Sequence, residues 1–400
     1  MLAHLAHKFR RGYVFHDYRW SIDQFPWPGD ILSDTERKDL PRTPLSAFIS
    51  GPAVGGSWDD SDAPRAISQG WWNTACPPDE RTRIEAEGLG EDAGVDWGRA
   101  ESGGAGILSP AWEKALNGSQ RCIEVFPMPK EKDRQSQGFT MGSESSADSV
   151  LSTWEEFRHS PVALYTTASK LVLSAVEKNK VIFQARRGRL GWTTPTADSD
   201  SNPFDRMLAV HVQRGNSFKK DCMDAAEKNL SFYGWNQLPY LPYRFQHPIG
   251  PEWRRGSPEN IALFIEHCYP DDDLVYRKIR QAKLEHEATA GPKQPRTLDV
   301  LFLATNEKPD WQKAMKRILL QAGWGTVVTT RDLQLVSEQI EVGVAVEMEL
   351  AQRAAVFLGS GVRKAARTAS MEPLTHLLVV AVYKQHYTSP FGGRSRAGNL

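Results

Sequence analysis

The chain has no surplus of charge. Lysine plus arginine and aspartate plus glutamate each number 49. A nucleic-acid or anionic-membrane binder would need a basic excess, so neither class is expected. Long apolar runs are also missing. The longest, Leu377 to Tyr383, covers under half of the ~20 residues that span a bilayer. The first residues, Met1 to His7 followed by Lys8, Arg10 and Arg11, do not form a secretory signal. The expectation is a cytosolic protein, or one whose targeting segment lies upstream of this chain.

Cysteine is scarce: Cys76, Cys122, Cys222 and Cys268 are the only four. None forms a CxxC pair, which excludes zinc-ribbon and thioredoxin-type chemistry on spacing. The four make two disulfides or stay as buried thiols, and composition does not choose. Two Asn-x-Ser triplets, Asn117-Gly118-Ser119 and Asn229-Leu230-Ser231, point only weakly to a secretory route. There is no GxxxxGK[ST], HExxH, GxSxG or kinase motif set, so P-loop, zincin, hydrolase-elbow and kinase chemistry are not indicated. Ser50 to Gly56 is glycine-rich but does not clearly follow a strand, a poor phosphate loop.

What is present is ordinary globular sequence, long enough for two domains. The thirteen tryptophans read first as core residues and only second as an aromatic groove. Met1 to Phe9 suggests a helix and Tyr13-Val14-Phe15 a short strand after Gly12. Pro41 to Trp58 reads as a loop around the apolar patch Leu45 to Ile49. Residues 88–106 and 131–149 are too polar and Gly- or Ser-rich to pack, and are expected to be disordered insertions. From Val162 to Ile182 an amphipathic pattern returns, with Leu171, Val172, Ala175 and Val176 on one helical face. The Arg186, Arg187 and Arg189 cluster reads as a solvated turn. Thr193 to Pro203 is Thr/Ser/Asp/Pro-rich and marks a boundary. The domains expected are 1–204, 205–362 and a divergent tail, 363–400.

Beyond the boundary, strands and helices alternate. Met207 to Val212, Leu298 to Ala304, Thr326 to Thr329 and Val356 to Gly359 read as buried parallel strands. Ser257-Pro258 starts a helix, with Ser as N-cap and Pro in the first turn. Further helices are expected over Asp271 to Glu287, Asp310 to Ala322 and Val344 to Ala355. The fold class is α/β and Rossmann-like, and ligands of such sheets bind outside the carboxyl ends of the strands. After the first strand come His211, Gln213, Arg214, Gly215 and Asn216, a plausible phosphate site: Arg offers a fork of donors and Gly admits close backbone approach. After the second come Thr305, Asn306 and Glu307, which taken alone read as a helix N-cap. After the fourth come Gly359, Ser360 and Gly361, which fit a turn or a diphosphate held by backbone amides.

Taken together these segments resemble one family. Leu208 to Asn216, then Cys222, resembles the H-x-R-R-G-D…C segment of the GDP-fucose protein O-fucosyltransferase superfamily. Val300 to Glu307 resembles its ATNE strand, and Val346 to Gly361 its late helix–strand block. Arg11 to Tyr18 and the Pro44 to Gly56 loop resemble a fungal branch of that group. The resemblance implies two facing Rossmann-like domains of GT-B type, the second holding the nucleotide sugar. It implies inverting transfer of fucose from GDP-fucose to a hydroxyl on a protein or glycan acceptor, with no cofactor and no essential metal. It places His211, Gln213, Arg214, Gly215, Asn306, Arg353, Gly359, Ser360 and Gly361 around the nucleotide, with Glu347 toward the guanine. It implies a Cys222–Cys268 pair and a secretory-pathway setting. Glu307 is the candidate base by position alone.

Three departures accompany it. Gln213 stands where the family has its diphosphate-contacting arginine. The family's opening Gly/Asn-rich loop has no counterpart here. After Gly361 the chain runs Val362-Arg363-Lys364 instead of a Ser-rich phosphate loop. These favour the rival expectations, an inactive nucleotide-sugar or glycan-binding protein of the same fold, or an incomplete product.

Overall fold

The computed structural model describes residues 2–20, 40–58, 65–85, 113, 116–118, 120–126, 156–184, 202–212, 218–228, 248–254, 256–291 and 297–359. The expected insertions at 88–106 and 131–149 and the tail beyond 362 lie outside these residues.

The first half is built from short pieces. Helix α1 (Leu2–Lys8) leads to β1 (Val14–Phe15) and β2 (Tyr18–Arg19), then β3 (Arg42–Thr43), α2 (Leu45–Phe48) and β4 (Ile49–Ser50). The patch read as a loop core is therefore a helical turn, with Leu45 and Phe48 buried. Next come β5 (Ile67–Ser68), α3 (Gln69–Ala75), β6 (Arg81–Glu85), β7 (Cys122–Phe126), α4 (Pro161–Tyr165), β8 (Thr167–Ala168) and α5 (Lys170–Asn179). Among the described residues these strands pair only two by two, β1 with β5, β2 with β3, β4 with β8, and β6 with β7. The amphipathic stretch after Val162 is split by β8. Ser169 then caps α5 by accepting the Val172 N–H at 3.1 Å.

The second half holds the larger sheet. It comprises β9 (Met207–Val212), α6 (Phe218–Lys228), α7 (Pro258–Cys268), α8 (Asp272–Thr289), β10 (Val300–Thr305), α9 (Pro309–Gln321), β11 (Thr326–Thr329), α10 (Ser337–Ile340), α11 (Gly343–Arg353) and β12 (Val356–Gly359). All four strands are parallel, in the order β11-β10-β9-β12. The interior strands β9 and β10 are apolar throughout save His211 and Thr305, as burial on both faces requires. Ser257 and Asp271 cap α7 and α8 by accepting from Asn260 N and Leu274 N. Gly323, at φ 94°, ends α9 in the left-handed conformation that costs glycine nothing.

Period-2 alternation sorts the sheet into two cores. Leu208, Val210, Val212, Leu301, Leu303 and Val327 meet Val275 and Ile279 of α8 and Met315 and Leu319 of α9. Met207, Ala209, Val300, Phe302, Ala304 and Val328 meet Val346 and Leu350 of α11. This second core continues without a break into the first half, through Val172, Ala175 and Val176 of α5 to Phe48 and Phe15. Asn179 reinforces the seam. Its amide donates to the Ala175 and Gln334 carbonyls, and its oxygen accepts from Gln334 N at 2.7 Å. Thr43 closes a second tie by donating to Glu341 at 2.7 Å while accepting from the Trp20 indole.

Two disulfides join distant segments: Cys76–Cys122 and Cys222–Cys268. The first fastens the end of α3 to β7, and the second fastens α6 to α7. All four residues are buried. No helix among the described residues is long and apolar enough to cross a membrane.

Candidate functional site

In chain order the sheet reads third, second, first, fourth strand. The winding direction therefore reverses between β9 and β12, and the crevice beyond the carboxyl ends at such a reversal is where open α/β sheets bind ligands. There His211 is the register partner of Ala304 on one side and of Gly359 on the other. Continuing the alternation along β9 puts His211 on the sheet face that α11 covers. Thr305 pairs with Val212 one step further on.

The row is extended by Thr330, the residue just past β11. Its hydroxyl accepts the Thr305 backbone N–H at 3.2 Å. It also lies beside the carboxyl of Glu347, on the second turn of α11, close enough to favour the charged carboxylate. Glu347 keeps a partial opening at the surface, but protein surrounds its carboxyl. Desolvation pushes its pKa up to about 8, against the smaller opposing pull of the Thr330 hydroxyl. At neutral pH Glu347 is thus largely protonated, able to donate as well as accept.

Asp332, two residues on, is the counter-case. Burial alone would raise its pKa, but Lys316 at 2.7 Å, the Thr329 N–H at 2.7 Å and the Thr329 hydroxyl at 3.0 Å together hold it below the usual carboxylate range. That network pins the turn carrying Thr330.

The Thr305-Asn306-Glu307 segment is not the expected helix cap. Lys308 occupies the capping position of α9 without a side-chain bond, and Pro309 follows. Thr305 instead accepts from Glu307 N at 3.1 Å, forming the turn that leaves the strand. Glu307 accepts from Lys308 N at 2.9 Å through its carboxylate and from the Gln312 amide at 2.8 Å through its carbonyl. Asn306 is exposed beside it.

Of the residues picked from sequence, His211, Asn306, Glu307, Glu347 and Gly359 fall at the carboxyl end of the sheet. Arg353 does not join them. It ends α11, which runs back against the strands, so it lies by their amino ends. There it pairs with Glu349 at 2.8 Å and its guanidinium sits 5.8 Å from the Phe204 ring centroid. An arginine so engaged is an anchor for the start of β9. Gln213, Arg214, Gly215, Ser360 and Gly361 lie outside the described residues. Sequence reasoning missed Thr330, although inspecting the carboxyl end of β11, as for the other strands, picks it out.

The glycines after β4 serve packing. Gly51 has φ 116°, and a Cβ there would lie 2.3 Å from the Tyr165 carbonyl oxygen. Among the described residues no three His, Cys, Asp or Glu side chains gather in a way that could hold a metal ion.

These features define an α/β protein with a parallel sheet and a polar cluster at its winding reversal. No family model matches the chain, and no curated protein matches it in sequence. Among solved structures it is similar to POFUT1 in complex with GDP, at 12% identity and a TM-score of 0.45, over 97% of this chain and 90% of that one. It is similar to POFUT1 in complex with GDP-fucose at 12% identity and a TM-score of 0.44, over the same shares.

Proposed function

We propose that this chain is an O-fucosyltransferase-like glycosyltransferase, transferring fucose from GDP-fucose to a hydroxyl on a protein or glycan, with inversion and without a metal or other cofactor. The observation that carries this reading is convergence. Three segments were chosen for their resemblance to one family; His211 in the first, Thr305 in the second, and Glu347 and Gly359 in the third are nearly 150 residues apart at the extremes. They meet at the carboxyl edge of one sheet, where a nucleotide is expected.

In this reading residues 205–362 hold the donor and residues 1–204 form the facing, acceptor-side domain of a GT-B arrangement. Glu347 addresses the base. His211, Arg214, Gly215 and the Gly359-Ser360-Gly361 segment line the diphosphate. As the acceptor hydroxyl attacks the anomeric carbon, the bond to the diphosphate breaks, and positive side chains and backbone N–H groups stabilise the charge that GDP carries away. Glu307 is the candidate to take the hydroxyl proton. The two disulfides suit an oxidising compartment, in keeping with a secretory setting.

One observation favours a second reading, a nucleotide-sugar binding protein without transferase activity. Gln213 replaces the family's arginine, exchanging a charge-assisted bond to phosphate for a neutral one. Calorimetric titration with GDP, GDP-fucose, GDP-mannose and UDP-glucose tests both. Selective binding of GDP and GDP-fucose is expected, and transfer to water or a hydroxyl acceptor then separates enzyme from binder. Absence of binding to all four sinks both.

A further inference from the structure

The turn that carries Asn117 is outside the strand-end cluster and has its own chemistry. Asn117-Gly118-Ser119 is an Asn-x-Ser triplet, the acceptor pattern for N-linked glycans on surface segments of secreted chains. A triplet alone is weak, but three structural facts bear on this one. Asn117 is exposed, on a turn closed by its own N–H bonding to the Glu113 carbonyl at 2.9 Å. The backbone around it is held from a distant segment, because the Arg11 guanidinium donates to the carbonyls of Leu116 at 2.5 Å, Gly118 at 2.7 Å and Gln120 at 2.8 Å. These bonds all run through main-chain carbonyls, so a glycan on the exposed Asn117 side chain displaces none of them. Finally, Cys122 lies three residues past the triplet and is disulfide-bonded to Cys76, and the second disulfide is equally buried. Such bonds form and persist where folding is oxidising, the same compartment in which N-glycans are attached in eukaryotic cells.

We propose that Asn117 is an N-glycosylation site. The donor is an oligosaccharide joined through a diphosphate to a lipid, used by a transferase of the host. The Asn117 amide nitrogen forms a bond to the anomeric carbon of the first sugar. The bond from that carbon to the diphosphate oxygen breaks, the lipid diphosphate leaves with the electron pair, and the amide nitrogen gives up one proton. This assignment does not depend on what the sheet-edge site binds.

The test is occupancy in the full chain, secreted from a eukaryotic host behind a cleavable leader. The protein is treated with peptide N-glycosidase in 18O-water and its peptides are weighed. The peptide containing Asn117 is expected to carry 18O-labelled aspartate in the glycosidase-treated sample and not in an untreated control, which separates glycan removal from spontaneous deamidation at Asn117-Gly118. Asn117→Gln and Ser119→Ala should each remove one glycan's mass from the intact protein, the second while leaving Asn117 in place. An unlabelled Asn117 in the folded, secreted protein overturns the proposal. It does so most directly when Asn229 in the same sample is labelled, since the chain has then met the glycosylation machinery and left Asn117 bare.

Discussion

The Thr330 hydroxyl, just past β11, accepts the backbone N–H of Thr305 at the end of β10 at 3.2 Å, and the carboxyl of Glu347 on α11 lies beside it. A helix and two strands thus meet at one edge of the sheet around a carboxyl whose pKa burial pushes up to about 8. In the unfolded chain that carboxyl ionises near its ordinary value of 4.5. Between those two values the folded state holds a proton that the unfolded state has released. Stability therefore falls as pH rises from about 4.5 to about 8, and this group's contribution levels off above that. The slope from this one group approaches about 1.4 kcal/mol per pH unit within the window. Denaturant unfolding at a series of pH values is expected to show that decline, and Glu347→Gln, neutral at every pH, should flatten it.

The same carboxyl predicts a pH-dependent affinity. If Glu347 accepts hydrogen bonds from a guanine, it must bind as the carboxylate, and ligand binding releases its proton. GDP should then bind more tightly at about pH 9 than at about pH 7, by up to about tenfold, the cost at pH 7 of emptying a carboxyl whose pKa is about 8. Calorimetry in buffers of different ionisation enthalpy reads the released proton directly. Affinity independent of pH would remove Glu347 from the base site.

One position after β9 in sequence, Gln213→Arg supplies the charge that the resembling family carries there. A charge-assisted bond to phosphate exceeds a neutral one by about 1–2 kcal/mol. GDP affinity is expected to rise about tenfold, with the gain shrinking as salt is raised. An unchanged affinity at low salt would show that this strand end faces away from the diphosphate.

Asn179 is a stability prediction independent of function. It is almost completely buried, and its amide bonds to backbone groups of α5 and of the segment before α10. Asn179→Ala leaves the Gln334 N–H without this partner at the seam between the halves. A loss of about 2–3 kcal/mol in unfolding free energy is expected, read by denaturant titration.

Replacing Cys222 and Cys268 together by serine opens a link between residues separated by 46 positions. The loop-entropy argument gives about 4 kcal/mol for a loop of that size, and about 2–4 kcal/mol is the expected loss. Thermal melting of the double variant should still respond to added reductant, through the Cys76–Cys122 link that remains.

Much of the second half was legible from sequence because its signals are local. Met207 to Val212 is a short unbroken apolar run, Ser257-Pro258 is a cap and first turn, and Gly323 is a helix stop. Each works through a few neighbouring residues, so each can be read without knowing the fold. Three further apolar runs, Leu298 to Ala304, Thr326 to Thr329 and Val356 to Gly359, completed the four strands, and with them the end of the sheet at which polar residues should gather. The first half resisted because its two-residue strands obtain their partners from far along the chain, β4 from β8 and β1 from β5. A pairing that short has no periodicity to read. That Cys76 joins Cys122, that α5 packs into the same core as α11, and that Arg353 ends at the amino edge were likewise decided by tertiary structure. So was the state of Glu347. Sequence placed a carboxylate on a helix; only the packing of α11 against the sheet withdrew water from it, and desolvation depends on what surrounds a group in space rather than on its neighbours in the chain.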